Sequence, residues 1–556
     1  MEQLKRKQLR DRCRSDVFDI IIVGGGISGA GIAREAASRG YSILLLERKD
    51  FASGASSRSG KLIHGGFRYL KHMRFRWVHI SCRERDLLCQ KLAPGLVFPI
   101  KFVLPFFRNS RTPKWIMRVG TFLYSLLQWP SRLGGCEVWS KHRLGREFPQ
   151  LAKENNKGAV VFSDCLTNDA RLTLEVIKTV SYLGGQVCNY SEVKAIQKHD
   201  NLWEFLVYDN LEGLTWTVRS RVAINSAGPW VNEILKRADR SDLFQLKHSK
   251  GVHLAFSSSR INIRDTLALE VPQDGRFVYL IPFPSGVWVG TTDNFYEGDL
   301  DAVRVVREDV DYLLGVLNHY FPDAHLGIED ILSAEVGIRP LIGGELDEAS
   351  SQASRDWEVK VSDDGFLSVT GGKLTTFRAM AVEALTILGK TFPMKLKPSR
   401  TYHSLSPLIF AFDQKVGQKE FERLGLESEM AQVLSQRYGA FASKLMRILE
   451  KDASKKERLI DTPCHILAEL DYFMLYEHAE TLSDILMRRT QIYMFSQDHG
   501  LSILDRLGQY VANFKNWDDA RLSAETKAYR QELERLSIPC LGQGGGLEET
   551  AQLVPP

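Results

Sequence analysis

The run Gly24-Gly25-Gly26-Ile27-Ser28-Gly29 spaces its glycines as G-x-G-x-x-G, and Glu47 follows roughly 20 residues later. In this pattern the first glycine makes a tight turn and the second lets a pyrophosphate approach the backbone. The third lets a helix pack closely on a strand. A helix starting at Ile27 would aim unpaired N–H groups at phosphate, and Glu47 would accept hydrogen bonds from ribose hydroxyls. The chemistry these residues can do is dinucleotide binding.

That chemistry requires elements to hold it. Val17–Val23 is a β-branched apolar run, as a buried parallel strand demands. A helical stretch then reaches Arg39, Gly40 supplies the stop, and Tyr41–Leu46 is the second strand. NAD and FAD share this unit. Two later returns favour FAD: Asn225-Ser226-Ala227-Gly228 after the strand Arg221–Asn225, and Thr370-Gly371-Gly372-Lys373 before a helix. The second return would point a helix N-terminus at a flavin ring and stabilise negative charge on its reduced form.

The 556 residues are 44% hydrophobic and 25% charged, as in a soluble globular chain of two or three domains. Formal net charge is only +5, which demands no nucleic-acid partner. Basic side chains concentrate in residues 1–14 and between Phe67 and Trp129, where Arg74, Arg76, Lys101, Arg108, Arg111, Lys114 and Arg118 interleave with Trp77, Phe106, Phe107, Trp115, Tyr124 and Trp129. Such a zone suits an anionic membrane surface. The eight cysteines form no C-x-x-C pair, so no metal site is expected and a reducing, cytoplasmic compartment is. No signal peptide or spanning segment is legible. Trp203–Tyr208 and Thr215–Val218 suggest a hairpin, residues 250–295 an antiparallel sheet, and the chain beyond Pro398 a helical domain.

Longer motifs carry a resemblance. Ser56-Ser57-Arg58-Ser59-Gly60-Lys61-Leu62-Ile63-His64-Gly65-Gly66-Phe67-Arg68-Tyr69-Leu70 resembles the signature of FAD-dependent (aerobic-type) glycerol-3-phosphate dehydrogenases. So do Asp169-Ala170-Arg171-Leu172, Gly290-Thr291-Thr292-Asp293, Arg339-Pro340-Leu341, Gly371–Arg378 and, in the helical region, Thr481–Thr490. The likeness runs from about Val17 to Leu536. Gly60 departs from it, where the family usually has Ser or Thr.

The resemblance implies oxidation of sn-glycerol 3-phosphate to dihydroxyacetone phosphate, with electrons passed through FAD to a membrane quinone. A phosphate dianion needs cations; Arg339 and Lys373 are the candidates, with Arg355 behind them and Thr375 beside Lys373. Withdrawal of a hydroxyl proton needs a base, for which His64 and His253 are both candidates. The matched motifs add Arg48, Ser56, Ser57, Ser59, Lys61, Leu62, His64, Trp230, Leu374 and Thr375 to the cofactor residues already named. Asp169 and Arg171 are expected to form an internal ion pair. A glycerol-3-phosphate oxidase using oxygen and a flavin amine or amino-acid oxidase are the alternatives.

The expected fold is α/β: a two-dinucleotide-binding, Rossmann-type FAD domain of the D-amino-acid-oxidase kind, with an α+β cap and an all-α C-terminal domain. Its expected divisions are a basic tail (1–16), FAD-binding segments (17–97, 156–245 and 336–395), a membrane-facing cap segment (98–155), a substrate domain (246–335), a helical domain (396–540) and a terminal tail (541–556). Peripheral attachment to the inner face of the cell membrane is expected, with a homodimer left open.

Overall fold

The computed structural model describes residues 6–108, 110–128, 133–152, 156–241, 244–343, 356–392, 397–401 and 413–538. Strand Val17–Val23 lies between Ile43–Leu46 and Leu214–Asn225, all parallel, with Val23 level with Leu46 and Asn225. Phe366–Gly371 continues the parallel order beyond Leu214–Asn225, and Gln186–Cys188 lies beyond Ile43–Leu46. Three distant chain segments therefore meet in one sheet.

Alternation along these strands separates two cores. Ile20, Ile22, Ile43 and Leu45 face the helices Ile27–Ser38, Asp169–Tyr182 and Phe377–Thr391. Ile21, Val23, Leu44 and Leu46 face Trp203, Phe205 and Val231 on the other side. The helix Ile27–Ser38 owes its close seat to small residues: a Cβ on Gly31 would come within 2.7 Å of the Phe377 ring.

A second sheet of ten strands forms the cap. Near one edge of it Leu246–Phe256 pairs antiparallel with Gly286–Gly290 on one side and Ile331–Ile342 on the other. Asn156–Thr167 also belongs here, paired with Val97–Phe107 over nearly its whole length. Its hydrogen bonds tie residues 156–167 to the cap, although strand–helix–strand order had suggested the FAD-binding side. Helices between Gln414 and Leu536 pack around their own core, interrupted by the short ribbon Arg458–Ile460/His465–Ile466.

Two further differences have simple causes. The basic N-terminal stretch is a helix, Arg6–Ser15, because Asp209 at the hairpin turn accepts from Arg6 at 2.8 Å and Arg10 at 3.0 Å. Trp203–Tyr208 does lie in a hairpin, but its partner runs unbroken from Leu214 to Asn225. The residues read as two strands form one, antiparallel at its start and parallel at its end.

The basic, aromatic zone divides into an inner and an outer part. Phe106 and Tyr124 are buried, and Trp77 packs edge-on against Trp357. Helix Lys114–Leu127 buries Met117, Thr121 and Tyr124, while Trp115, Phe122 and Leu126 stand exposed on its outer side. Trp129 and Arg355 lie outside the described residues. Among the described residues no helix is long and apolar enough to cross a membrane.

Candidate active site

A cavity of about 1330 Å³ runs between the parallel sheet and the cap. All the expected cofactor residues face it except Gly25, Gly29, Ser57 and Lys61. The two glycines act from behind the wall. A Cβ on Gly29 would lie 1.9 Å from the Gly24 carbonyl, so only glycine lets the helix meet the turn. The Gly25 N–H donates to Glu47 Oε2 at 2.7 Å, and the Lys49 N–H donates to Oε1 at 2.9 Å. Glu47 is thus clamped at the strand end with its carboxylate on the cavity. Gly26, in extended conformation, starts helix Ile27–Ser38 without a side-chain cap, and Ser56 Oγ accepts from Ile27 N–H at 2.9 Å.

These features fit FAD. The helix N-terminus is open toward the cavity, and Gly371 and Gly372 take positive φ of 80° and 78° where no side chain could sit cheaply. A Cβ on Gly371 would strike the Asp356 carbonyl at 2.3 Å. The buried Trp230 Nε1 has no hydrogen-bond partner, and the Arg48 guanidinium lies 4.5 Å from the Trp230 ring. Arg48 is held from behind by Asp301 at 2.7 Å.

Lys61 is a buried structural cation. Its Nζ donates to Asp169 and to the Ser57 carbonyl, both at 2.9 Å, and Asp169 also accepts from Ser59 Oγ at 2.6 Å. Asp169 therefore does not pair with Arg171, which instead makes two hydrogen bonds to Glu477. Residues two apart on a helix point in different directions, so each finds its own partner.

The cap brings His253 and Arg339 to the cavity. Register places His253 opposite Glu335 and Ser249 opposite Arg339, four residues along the same strand pair and hence on one face. Arg339 Nη2 donates to Thr291 Oγ1 at 2.9 Å, and Nη1 lies 3.4 Å from Asp293. His253 is 2% exposed, stacked on Trp288 at 5.3 Å and 7°. Burial, with Arg339 and Lys61 nearby, holds its pKa well below the usual imidazole value, so the ring is neutral. Lys373 Nζ donates to Ser81 Oγ at 2.9 Å and lies 4.0 Å from the Tyr69 ring centre. Thr375 Oγ1 accepts from His64 N–H at 3.1 Å, pinning the backbone of His64 to the start of the helix after Gly372. Tyr69, Trp288 and Glu335 were not among the expected site residues. Tyr69 stands inside the first long motif, whereas Trp288 and Glu335 take their positions from cap register alone.

Residues 19–378 match the family described as FAD dependent oxidoreductase, and residues 404–522 match the C-terminal domain of alpha-glycerophosphate oxidase. The chain belongs to the FAD-dependent oxidoreductase family, its cofactor is FAD and it is an enzyme. Within that class, the aerobic glycerol-3-phosphate dehydrogenase of Staphylococcus haemolyticus is 31% identical over 549 residues, 96% of this chain and 97% of its own. That of Staphylococcus epidermidis is 30% identical over 547 residues with equal coverage. The solved glycerol-3-phosphate dehydrogenase from Bacillus halodurans, complexed with FAD, is 26% identical with a TM-score of 0.80, covering 98% of this chain and 99% of that one. L-alpha-Glycerophosphate oxidase from Mycoplasma pneumoniae shares the fold, with a TM-score of 0.56 at 19% identity over 70% of this chain and 99% of its own.

Proposed function

We propose that this chain oxidises sn-glycerol 3-phosphate to dihydroxyacetone phosphate and delivers the electrons to a quinone at the inner face of the cell membrane. The observation that carries the substrate assignment is the meeting of Arg339, Lys373 and the neutral His253 in the cavity that holds the dinucleotide motif. The near full-length relatives named for glycerol 3-phosphate support the same reading. Arg339 and Lys373 give the phosphate two cations, while His253, taken here in preference to His64, receives the hydroxyl proton of the carbon to be oxidised. When bound, FAD supplies the acceptor for the two electrons that leave with the hydride. Thr375 and the glycine pair hold the cofactor side of the cavity in place, and the cap sheet excludes water from His253.

The exposed face of helix Lys114–Leu127 supports peripheral membrane contact. Its inner residues Met117 and Gly120 line the cavity, while Trp115 and Phe122 face outward, and Arg118 is exposed beside them. Apolar residues flanked by a cation suit a helix lying at headgroup depth.

Anaerobic titration of the purified flavoprotein with sn-glycerol 3-phosphate is the test. Bleaching of the oxidised flavin bands by this compound, and not by glycerol or amino acids, is the expected result. A yellow protein that fails to bleach would remove the substrate assignment while leaving the cofactor.

A further inference from the structure

Behind the presumed base lies a second buried group with no use in the chemistry so far. His253 faces Gly290 across one strand boundary and Glu335 across the other. A Cβ built on Gly290 would meet His253 Cδ2 at 2.2 Å, so that edge of the ring is turned toward Gly290. Nδ1 lies on the opposite edge of the ring, away from Gly290. Nε2 borders the loop leading to the cavity, 3.7 Å from where a Gly60 Cβ would stand. His253 faces the cavity, whereas Glu335 does not.

Two orphaned atoms meet this arrangement. His253 Nδ1 and Glu335 Oε2 are both buried and both lack a hydrogen-bond partner. Directly opposed residues in an antiparallel pair have Cβ atoms about 4.5–5.5 Å apart and share one face, so the two side chains are neighbours although no hydrogen bond joins them in this conformation. A buried Nδ1 without a partner is costly, and Glu335 Oε2, which meets Lys61 only at 3.8 Å, is its complement once Nδ1 carries the proton.

We infer that Glu335 is a positioning residue that accepts the Nδ1 proton of His253 in a hydrogen bond, leaving Nε2 free to take the substrate's hydroxyl proton. Trp288 stacks on the ring and sets its plane; Glu335 selects the tautomer and stabilises the imidazolium that forms. The alternative role for Glu335 is neutralisation of Lys61. That need is already met, because Lys61 bonds Asp169 and the Ser57 carbonyl at 2.9 Å, while Glu335 Oε2 stands 3.8 Å away. Burial raises the Glu335 pKa, and Lys61, Arg58 and Arg488 oppose this while Asp169 adds to it. On the histidine side the facing charges are Arg339 and Lys61. The assignment rests on His253 being the base under the proposed function.

The test is stopped-flow reduction of the enzyme-bound flavin by sn-glycerol 3-phosphate across pH, in wild type, E335Q, E335D, H253Q and the E335Q/H253Q pair. E335Q should keep its flavin, its melting temperature and its substrate affinity, since Lys61 retains Asp169. Its reduction rate should fall roughly 100-fold or more, the scale on which an oriented acid–base pair acts. The acid limb of its pH profile should move down by about one unit, because the imidazolium loses its carboxylate. E335D should recover part of both, and E335Q should add nothing in the H253Q background. An unchanged rate and profile in E335Q, or the same loss with and without His253, would overturn the inference. A wild type that glycerol 3-phosphate does not bleach would instead strike the substrate reading, and a fully active H253Q would strike the base and this inference together.

Discussion

One wall of the cavity is made of glycine backbone and the other of polar side chains from the cap. On the sheet side, Gly24, Gly26, Gly371 and Gly372 clear space, and the groups offered are main-chain N–H donors and a helix terminus. On the cap side, Arg339 and His253 stand on neighbouring strands, Arg339 held by Thr291 and His253 stacked on Trp288. The first wall tolerates no added atoms; the second tolerates no lost ones. Substitutions should therefore separate cofactor binding from turnover.

The sharpest break is Gly29→Val. Its Cβ would sit 1.9 Å from the Gly24 carbonyl, a main-chain atom that cannot swing aside. Protein lacking flavin is expected, read as loss of the flavin absorbance released on denaturation; a normal yellow protein would dissolve the contrast between the walls. Arg339→Ala comes next, and should leave the flavin in place. Losing a buried charged contact costs about 2–4 kcal/mol, so kcat/KM for glycerol 3-phosphate should fall roughly 30- to 1000-fold. Oxidation of glycerol should change little, and an equal loss on both substrates would take the phosphate role away from Arg339. The smallest effect concerns the outside of the cap. Trp115 and Phe122 are 67% and 68% exposed, and replacing either one with Ser should weaken co-sedimentation with anionic vesicles by roughly 10- to 100-fold, from the usual ~1.5–3 kcal/mol per buried large side chain. Flavin reduction should be untouched, and undiminished sedimentation would assign the membrane contact to another surface.

The same division decides what was legible beforehand. Gly24 to Glu47 could be read because every partner lies within one local unit, and the returns at Asn225–Gly228 and Gly371–Gly372 repeat its vocabulary. The cap could not be read in this way. His253 was a visible candidate, but Glu335 gained meaning only when register set it opposite, and no local pattern encodes register between strands so far apart. Asp169 and Arg171 look like neighbours in the sequence, yet one binds Lys61 and the other Glu477. The N-terminal helix was hidden for a related reason, since Leu9 and Cys13 are its only apolar residues and its hold is the charge on Asp209.

The ion pairs that join the helical domain to the rest also set an order of events during synthesis. Asp50, beside the cofactor motif, is buried with Arg488 at 2.5 Å and Arg489 at 2.6 Å, and Arg171 and Lys178 are buried on Glu477. An unmatched buried charge costs about 3–5 kcal/mol. A nascent chain that has reached only residue 400 has finished its parallel sheet in sequence, yet holds Asp50 and Arg171, whose buried counter-charges are still untranslated. The first two-thirds of the molecule is thus a half-answered question until the last third emerges, and maturation of the nucleotide-binding half waits on the ribosome passing Arg489.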